Sequence, residues 1–199
     1  MNYLQKKNIR NVLRYTWPFY IVTTIAVVLL MHIVFNITHK TPAYKTLTIF
    51  VSGEVVDSKK LKTDMLEKFK DKEIKSFSCI SAKPEDKTYY SKLSIPGYNS
   101  ADVLIIPVST LDNLNVSAFA LEIQDELISS HYSGYSLYSQ NEMNLGVKIN
   151  KEKVSDYMTL PEEDCYMVLN AKSANTGDYS IKPVSEHDMA LTLVKDWGM

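Results

Sequence analysis

The chain has 199 residues, of which 45% are hydrophobic, and a formal net charge of −1. All 23 acidic residues lie beyond Gly53, whereas six of the 22 basic residues precede it, so the part after Gly53 has a net charge of about −7. An acidic domain is a poor match for nucleic acid or anionic headgroups, which are bound by clustered lysine and arginine. The simpler explanation of the negative charge, and the favoured one, is that it keeps the domain soluble.

Residues 17–37 form one apolar segment without Lys, Arg, Asp or Glu. About 20 apolar residues in a helix span the hydrocarbon core of a bilayer, which is about 30 Å thick. Four basic residues precede the segment and two follow it before the next predicted strand, which favours a cytoplasmic N-terminus. The sequence predicts a single-pass cell-membrane protein with a cytoplasmic arm (1–16), a connector (38–46) and an extracytoplasmic domain (47–199).

The same segment has two alternative interpretations. A cleaved signal peptide has a shorter apolar region, of about 7–15 residues, followed by small residues, so the length of 17–37 favours an uncleaved signal anchor. No cysteine follows directly, which argues against a lipid anchor. In the second alternative the segment itself is the functional part of an assembly subunit, because Thr23, Thr24 and His32 are polar groups that could face a neighbouring helix.

The next part of the chain alternates between apolar strand patterns and amphipathic helix patterns. Predicted strands are Leu47–Val51, Ile74–Ile80 and Val103–Ile106. Predicted helices begin at Asp57, Pro84 and Ser109, and the last continues to about Leu127. Such alternation predicts an α/β domain with a mostly parallel sheet, whose ligand-binding loops follow the carboxyl ends of the strands.

The last third of the chain is less regular. Leu145–Ile149 and Cys165–Leu169 are two further predicted strands. Ser185 and Asp188 have the spacing of a capping box, which predicts a closing helix that ends near Trp197.

Catalytic motifs are absent from the sequence, which has no GxSxG, HExxH, P-loop or glycine-rich dinucleotide turn. Adjacent acidic residues occur at Glu85-Asp86, Asp125-Glu126 and Glu162–Asp164, and such pairs are most often solvated surface. His131 and His187 are the candidate bases, without a recognisable nucleophile nearby. The chain is therefore predicted not to be an enzyme, and an anchored hydrolase of cell-wall or glycan material is the alternative.

Cys79 and Cys165 are the only cysteines, and the four histidines show no metal-ligand spacing. No metal site and no cofactor is predicted. The two cysteines suit either a disulfide or two buried thiols, because both lie in apolar strand-like segments.

The order of several short motifs resembles the bacterial extracellular solute-binding proteins of ABC transporters. These motifs are LTIFVSGEVVD, TYYSKL, SADVLIIP, Phe119–Leu121, Leu145–Ile149 and CYMVLNAKSAN, and together they cover about residues 45–197. Family members usually have two lobes and about twice this length, and many carry a lipid-anchored cysteine. The resemblance implies a reduced, single-lobed relative, which lacks the second lobe needed to close on a ligand.

Two arguments yield the predicted ligand-binding residues. By position in the resemblance, a former cleft would be lined by Ser52, Gly53, Glu54, Asp102 and Ser173. Three loop tyrosines are added because tyrosine offers an apolar face and a hydroxyl to a ligand or a partner, namely Tyr89, Tyr90 and Tyr135. The predicted function is a membrane-anchored binding or accessory domain of a bacterial transport or envelope system, which binds a neighbouring membrane protein or transporter, or a small solute.

Overall fold

A computed structural model of the chain describes residues 3–38, 41–125, 132–176 and 188–199. The chain divides into two compact units, Met1–Thr41 and Pro42–Met199, which are considered separately below.

The first unit contains one helix, α1, which runs from Tyr3 to Thr38. Its segment Trp17–Phe35 is the one stretch, among the described residues, that is long and apolar enough to cross a membrane. The hydroxyls of Thr23 and Thr24 each donate a 2.7 Å hydrogen bond to a carbonyl four residues earlier in α1. Both threonines therefore satisfy their polar groups within their own helix.

The second unit is a mixed α/β domain around a six-stranded sheet with the order β3-β1-β4-β8-β6-β5. The strands of this sheet are β1 (Thr46–Ser52), β3 (Ser76–Ala82), β4 (Val103–Pro107), β5 (Leu137–Gln140), β6 (Met143–Lys148) and β8 (Cys165–Leu169). A separate antiparallel pair joins β2 (Glu54–Val55) to β7 (Met158–Thr159). The α/β class and the strands at Leu47, Ile74, Val103, Leu145 and Cys165 are confirmed.

The sheet is parallel only in its first half. Strand β1 pairs in parallel with β3 and with β4, as the predicted alternation requires. The other three pairings, β4 with β8, β8 with β6 and β6 with β5, are antiparallel. The sheet is thus mixed: two of its pairings are parallel and three are antiparallel.

Short helices and two longer ones cover the sheet. They are α2 (Ser58–Lys68), α3 (Tyr89–Lys92), α4 (Tyr98–Ser100), α5 (Val108–Leu111), α6 (Lys151–Val154) and α7 (Met189–Trp197), with a π turn at Leu93–Gly97. Asp57 caps α2 by accepting hydrogen bonds from the amides of Lys59 and Lys60. Asp188 stands at the cap position of α7 but makes no capping bond, and its carboxylate pairs with Lys72. Ser185 lies outside the described residues.

Both faces of the central strands are buried, which explains their continuous apolar sequences. In β1, Leu47, Ile49 and Val51 pack into one core cluster with α2 and α7. Phe50 points to the opposite face, into a second cluster with Tyr89 of α3. Every residue of β4 is buried.

The long helix predicted from Ser109 is wrong over the described residues up to Ile123, and its predicted end at Leu127 lies outside them. The chain makes the four-residue α5, then a single 3-10 turn at Val116–Ala118. Ala120 then forms a β-bridge with Asn170, and the amide of Leu121 donates to the carbonyl of Leu169. The segment at Ala120–Leu121 therefore pairs with the end of β8, although its apolar residues recur at helical spacing.

The two cysteines are free thiols. Cys79 lies on β3 and Cys165 on β8, three positions apart in the sheet order, or about 14 Å at the usual strand spacing. A disulfide needs Cα atoms within about 7 Å, so this arrangement excludes a bridge within one chain. Burial raises the pKa of Cys79 to about 12 and that of Cys165 to about 11, so both remain protonated at neutral pH.

Candidate functional site

The predicted site residues divide between opposite ends of the parallel strands. Ser52, Gly53 and Glu54 follow the carboxyl end of β1, and Tyr89 is hydrogen-bonded to Ser52 there. Asp102 precedes β4 and is bonded to Ser173 at the amino ends of the same strands. Tyr135 joins neither group, because its hydroxyl donates a 2.9 Å bond to the carbonyl of Lys195 on α7.

Most polar groups at the carboxyl end are already used inside the domain. The hydroxyls of Ser52 and Tyr89 lie 2.7 Å apart, and both residues are buried. Burial raises the pKa of Tyr89, and hydrogen bonds to Ser52 and Thr110 partly oppose that effect. Neither hydroxyl is presented to solvent.

Glu54 and Tyr90 are the exposed members of the predicted set at this end. Glu54 pairs with Lys83, and the ring of Tyr90 meets Tyr89 edge-on at a centroid distance of 5.2 Å. Gly53 is needed for close packing, since a Cβ there would overlap the carbonyl oxygen of Thr159 on β7.

At the amino end, the carboxylate of Asp102 organises a buried network. One oxygen accepts a 2.7 Å bond from the amide of Thr48, and the other accepts from the Ser173 hydroxyl and from the Asn175 side chain at 3.1 Å. Asn175 also donates to the carbonyl of Thr46 at 2.6 Å. Burial raises the pKa of Asp102, although these three donors oppose the shift. The network fastens the loop after β8 to the start of β1.

Beside this network is an open cleft of about 350 Å³ that was not predicted. Its walls come from the helical turns before β4, the loop after α5 and the loop after β8. The lining residues are Ser94, Tyr98, Asn99, Leu114, Asn115, Ala118, Phe119 and Lys172. Its volume is at the lower end of the range for small-molecule sites, about 300–1,000 Å³.

One wall of the cleft is a pair of stacked rings. The rings of Tyr98 and Phe119 lie nearly parallel, with centroids 4.0 Å apart and an interplanar angle of 18°. Burial raises the pKa of Tyr98 to about 12, so the phenol is neutral at physiological pH. The Lys172 side chain is exposed and, across the described ranges, has no ion-pair partner.

Asn170 positions these walls relative to one another. Its side-chain nitrogen donates to the carbonyls of Tyr98 at 2.9 Å and Ala101 at 2.8 Å, and its side-chain oxygen accepts from the amide of Lys172 at 2.9 Å. Asn170 is buried, and Ala171 donates from its amide to the carbonyl of Phe119. A rigid, buried amide therefore sets the spacing between the aromatic wall and the lysine.

A second cleft near the chain end has charged walls that are largely paired with each other. It contains Lys148, Lys151, Glu152 and Asp164, and both carboxylates are exposed. Lys148 pairs with Asp164 at 2.7 Å, while the Lys151 ammonium donates to three carbonyls of residues 161–163. These contacts describe a neutralised surface, and they assign no general acid or base.

The other acidic residues considered as candidates for hydrolysis do not form a catalytic site among the described residues. Glu163 accepts two hydrogen bonds from Ser109, and Asp86 accepts one from the amide of Lys83. Within the described ranges, no three His, Cys, Asp or Glu side chains are grouped to hold a metal ion. Glu126, His131 and His187 lie outside those ranges.

The segment CYMVLNAKSAN contains a signal for the cleft, since it includes both Asn170 and Lys172, but the resemblance pointed to Ser173 instead. An aromatic wall, two side-chain amides and one exposed ammonium suit a small polar solute with an anionic group. No protein-family model, curated protein or solved structure matches the chain, so its site is defined by this geometry alone.

Proposed function

We propose that this chain is a membrane-anchored, extracytoplasmic binding domain that captures a small anionic solute in the cleft between Tyr98, Asn115 and Lys172. The observation that carries the proposal is the exposed Lys172, which has no ion-pair partner among the described residues, in the same cleft as the stacked Tyr98 and Phe119 rings. A concave, polar and aromatic site favours a solute over a protein partner, whose surface would call for a flat apolar patch. The proposed role is non-enzymatic.

The ligand class follows from the groups that line the cleft. An ammonium forms charge-assisted hydrogen bonds with carboxylate or phosphate, which are stronger than neutral ones. An aromatic face binds the apolar face of a sugar ring or side chain, and Asn99 and Asn115 offer both donors and acceptors. Sugar acids, amino acids and short peptides combine these features.

The apolar segment of α1 supports an anchored location, with residues 1–16 in the cytoplasm. The resemblance to a solute-binding lobe supports a place beside a transporter. A single lobe cannot enclose its ligand by hinge closure, so we expect weak, rapidly exchanging binding. That behaviour suits an accessory domain that senses a solute or delivers it to a neighbouring membrane protein.

Full-length protein in detergent micelles tests this proposal by thermal shift against neutral sugars, sugar acids, amino acids and short peptides. A ligand at about 100 times its dissociation constant should add about 2.7 kcal/mol to the free energy of unfolding. We expect anionic members to raise the melting temperature, and Lys172→Gln to weaken their binding at least about tenfold, because a charge-assisted bond is lost.

The control is Lys87→Gln, which removes an equally exposed positive charge outside the cleft. It should leave ligand affinity unchanged. A panel without any stabilising compound, or equal binding by the Lys172→Gln and wild-type proteins, would contradict a solute site at this cleft.

A further inference from the structure

The part of α1 that precedes the apolar segment is strongly basic. Helix α1 begins at Tyr3 and continues through Trp17 as one helix, so the arm (1–16) is a helical extension of the apolar segment. The first acidic residue of the sequence is Glu54. The basic residues of the arm are Lys6, Lys7, Arg10 and Arg14.

The four basic residues share one face of this helix. Successive residues of an α-helix are rotated by about 100° around the helix axis. On that spacing the four basic residues and Trp17 fall within an arc of about 100°, which is called the basic face below. The opposite side of the arm holds uncharged residues, namely Leu4, Asn8, Val12 and Tyr15.

The basic face begins next to the apolar segment. Arg14 precedes Trp17 by about 4.5 Å of helix, and Arg10 precedes it by about 10.5 Å. Charges interact in solution over about 8 Å at physiological salt, so both arginines lie close enough to respond to charge at a bilayer surface. Lys6 and Lys7 lie about 15–17 Å from Trp17 along the axis.

Pro18 is the position at which the arm can tilt towards that surface. Proline has no N–H, so the carbonyl of Arg14, four residues earlier, lacks its helical hydrogen bond. Sharp bends in helices occur mostly at such positions. A tilt at Pro18 brings Lys6 and Lys7 closer to the bilayer surface than an upright helix does.

We propose that the basic face binds the anionic phospholipid headgroups of the leaflet that faces the arm. The inference rests on the anchored location in the proposed function and does not involve the cleft. Clusters of about four to eight Lys and Arg beside a membrane-spanning helix are attracted to anionic lipid. Arginine also forms paired hydrogen bonds with phosphate oxygens, and both arginines of the sequence, Arg10 and Arg14, lie on this face.

Two features favour lipid over a nucleic acid or an acidic protein as the partner. The helix joins the basic face directly to the apolar segment, so a bilayer that holds Trp17–Phe35 brings its own headgroups to Arg14. Another macromolecule would have to displace those headgroups first. Trp17 lies on the basic face, and tryptophan is enriched at the headgroup level of membrane proteins.

Full-length protein in lipid nanodiscs tests this proposal through the fluorescence of Trp17. Trp17 is 59% exposed, whereas Trp197, the only other tryptophan, is buried and serves as the unquenched reference. The discs contain phosphatidylcholine and a minor fraction of brominated lipid, which quenches tryptophan on contact. We expect brominated phosphatidylglycerol to quench at least about twofold more than brominated phosphatidylcholine at the same fraction. In about 1 M salt, which shortens the range of charge interactions to about 3 Å, the two lipids should quench equally.

Two variants separate the basic face from positive charge in general. Replacement of all four basic residues with glutamine should abolish the excess quenching by phosphatidylglycerol. A charge-relocated variant keeps the composition and net charge of the arm but moves two charges to its opposite side. It should lose at least about half of the excess. Its substitutions are Gln5→Lys with Lys6→Gln, and Asn8→Arg with Arg10→Asn.

The outcomes distinguish this proposal from the anchored location on which it rests. Absence of quenching by both brominated lipids would place Trp17 outside the bilayer and overturn both ideas. Equal quenching by the two lipids at low salt, or the full excess in the charge-relocated variant, would overturn only lipid binding by the basic face. A nucleic acid that binds the wild-type discs and abolishes the excess would also overturn it, by assigning the basic face to that partner.

Discussion

Replacing Asp102 with alanine should lower the free energy of unfolding of the Pro42–Met199 unit by about 3 kcal/mol. The substitution leaves the partly buried amide of Thr48 and the hydroxyl of Ser173 without their acceptor, and each unsatisfied group costs about 1–3 kcal/mol. Urea unfolding followed by far-UV circular dichroism measures the change. Ser173→Ala is the matched control, which removes one bond and should cost about 1 kcal/mol. Equal losses for the two variants would show that Asp102 does not organise the network.

The contribution of Asp102 to the free energy of unfolding should depend on pH in the direction opposite to that of an ion-paired surface carboxylate. Burial raises its folded-state pKa above the unfolded value, so the folded protein binds the proton more tightly. The negative charge of Asp102 thus lowers the free energy of unfolding at neutral pH. Protonation of the carboxylate raises that free energy as pH falls through the raised folded-state pKa towards the unfolded pKa. We therefore expect the gap in unfolding free energy between the wild type and Asp102→Ala to widen on acidification.

Asp156 provides the contrast. Its ion pair with Lys60 lowers its pKa, so the contribution of Asp156 is present above the unfolded pKa and is lost as pH falls through the lowered value. The gap between the wild type and Asp156→Asn should narrow on acidification. Parallel pH series on the two variants check the signs, and the same direction for both would refute the assignment for Asp102.

Gly53→Ala should destabilise the domain by about 2–3 kcal/mol. A methyl group at this position overlaps the carbonyl oxygen of Thr159, so the β1 turn or the β2–β7 pair must shift. Gly97→Ala is the control, because its added Cβ meets its nearest neighbours at an ordinary 3.5 Å and its backbone is helical. That change should be neutral or stabilising by about 0.4–1 kcal/mol. Thermal melts of both variants measure the difference, and an unchanged melting temperature for Gly53→Ala would contradict the close approach.

The sequence predicted those parts of the fold in which local pattern and tertiary environment agree. The apolar runs of β1, β4 and β8 are buried on both faces, and Asp57 caps α2 as expected. The segment after α5 was misread because its apolar residues recur at helical spacing while their backbone pairs with β8. A pairing partner about 50 residues away leaves no trace in local periodicity. The direction of β6 and β8 was undetermined for the same reason.

The candidate site was harder to predict than the fold. The strand-end rule assumes a fully parallel sheet, so it pointed to the carboxyl end of β1, where the hydroxyls of Ser52 and Tyr89 are bonded to each other. The cleft is at the amino end, because antiparallel β8 brings Asn170 and Lys172 there. The positions of Asn170 and Lys172 in the cleft could not be predicted without the antiparallel direction of β8.

The pairing of β4 with β8 has a consequence for biosynthesis. Strand β4 ends at Pro107, whereas its partner β8 ends at Leu169, so about 60 residues must be synthesised before this side of β4 is covered. At about 5–20 residues per second, the apolar VLII strand waits roughly 3–12 s with one unpaired edge. The nascent domain therefore passes through a state in which the β8 side of β4 is an unpaired, aggregation-prone strand edge.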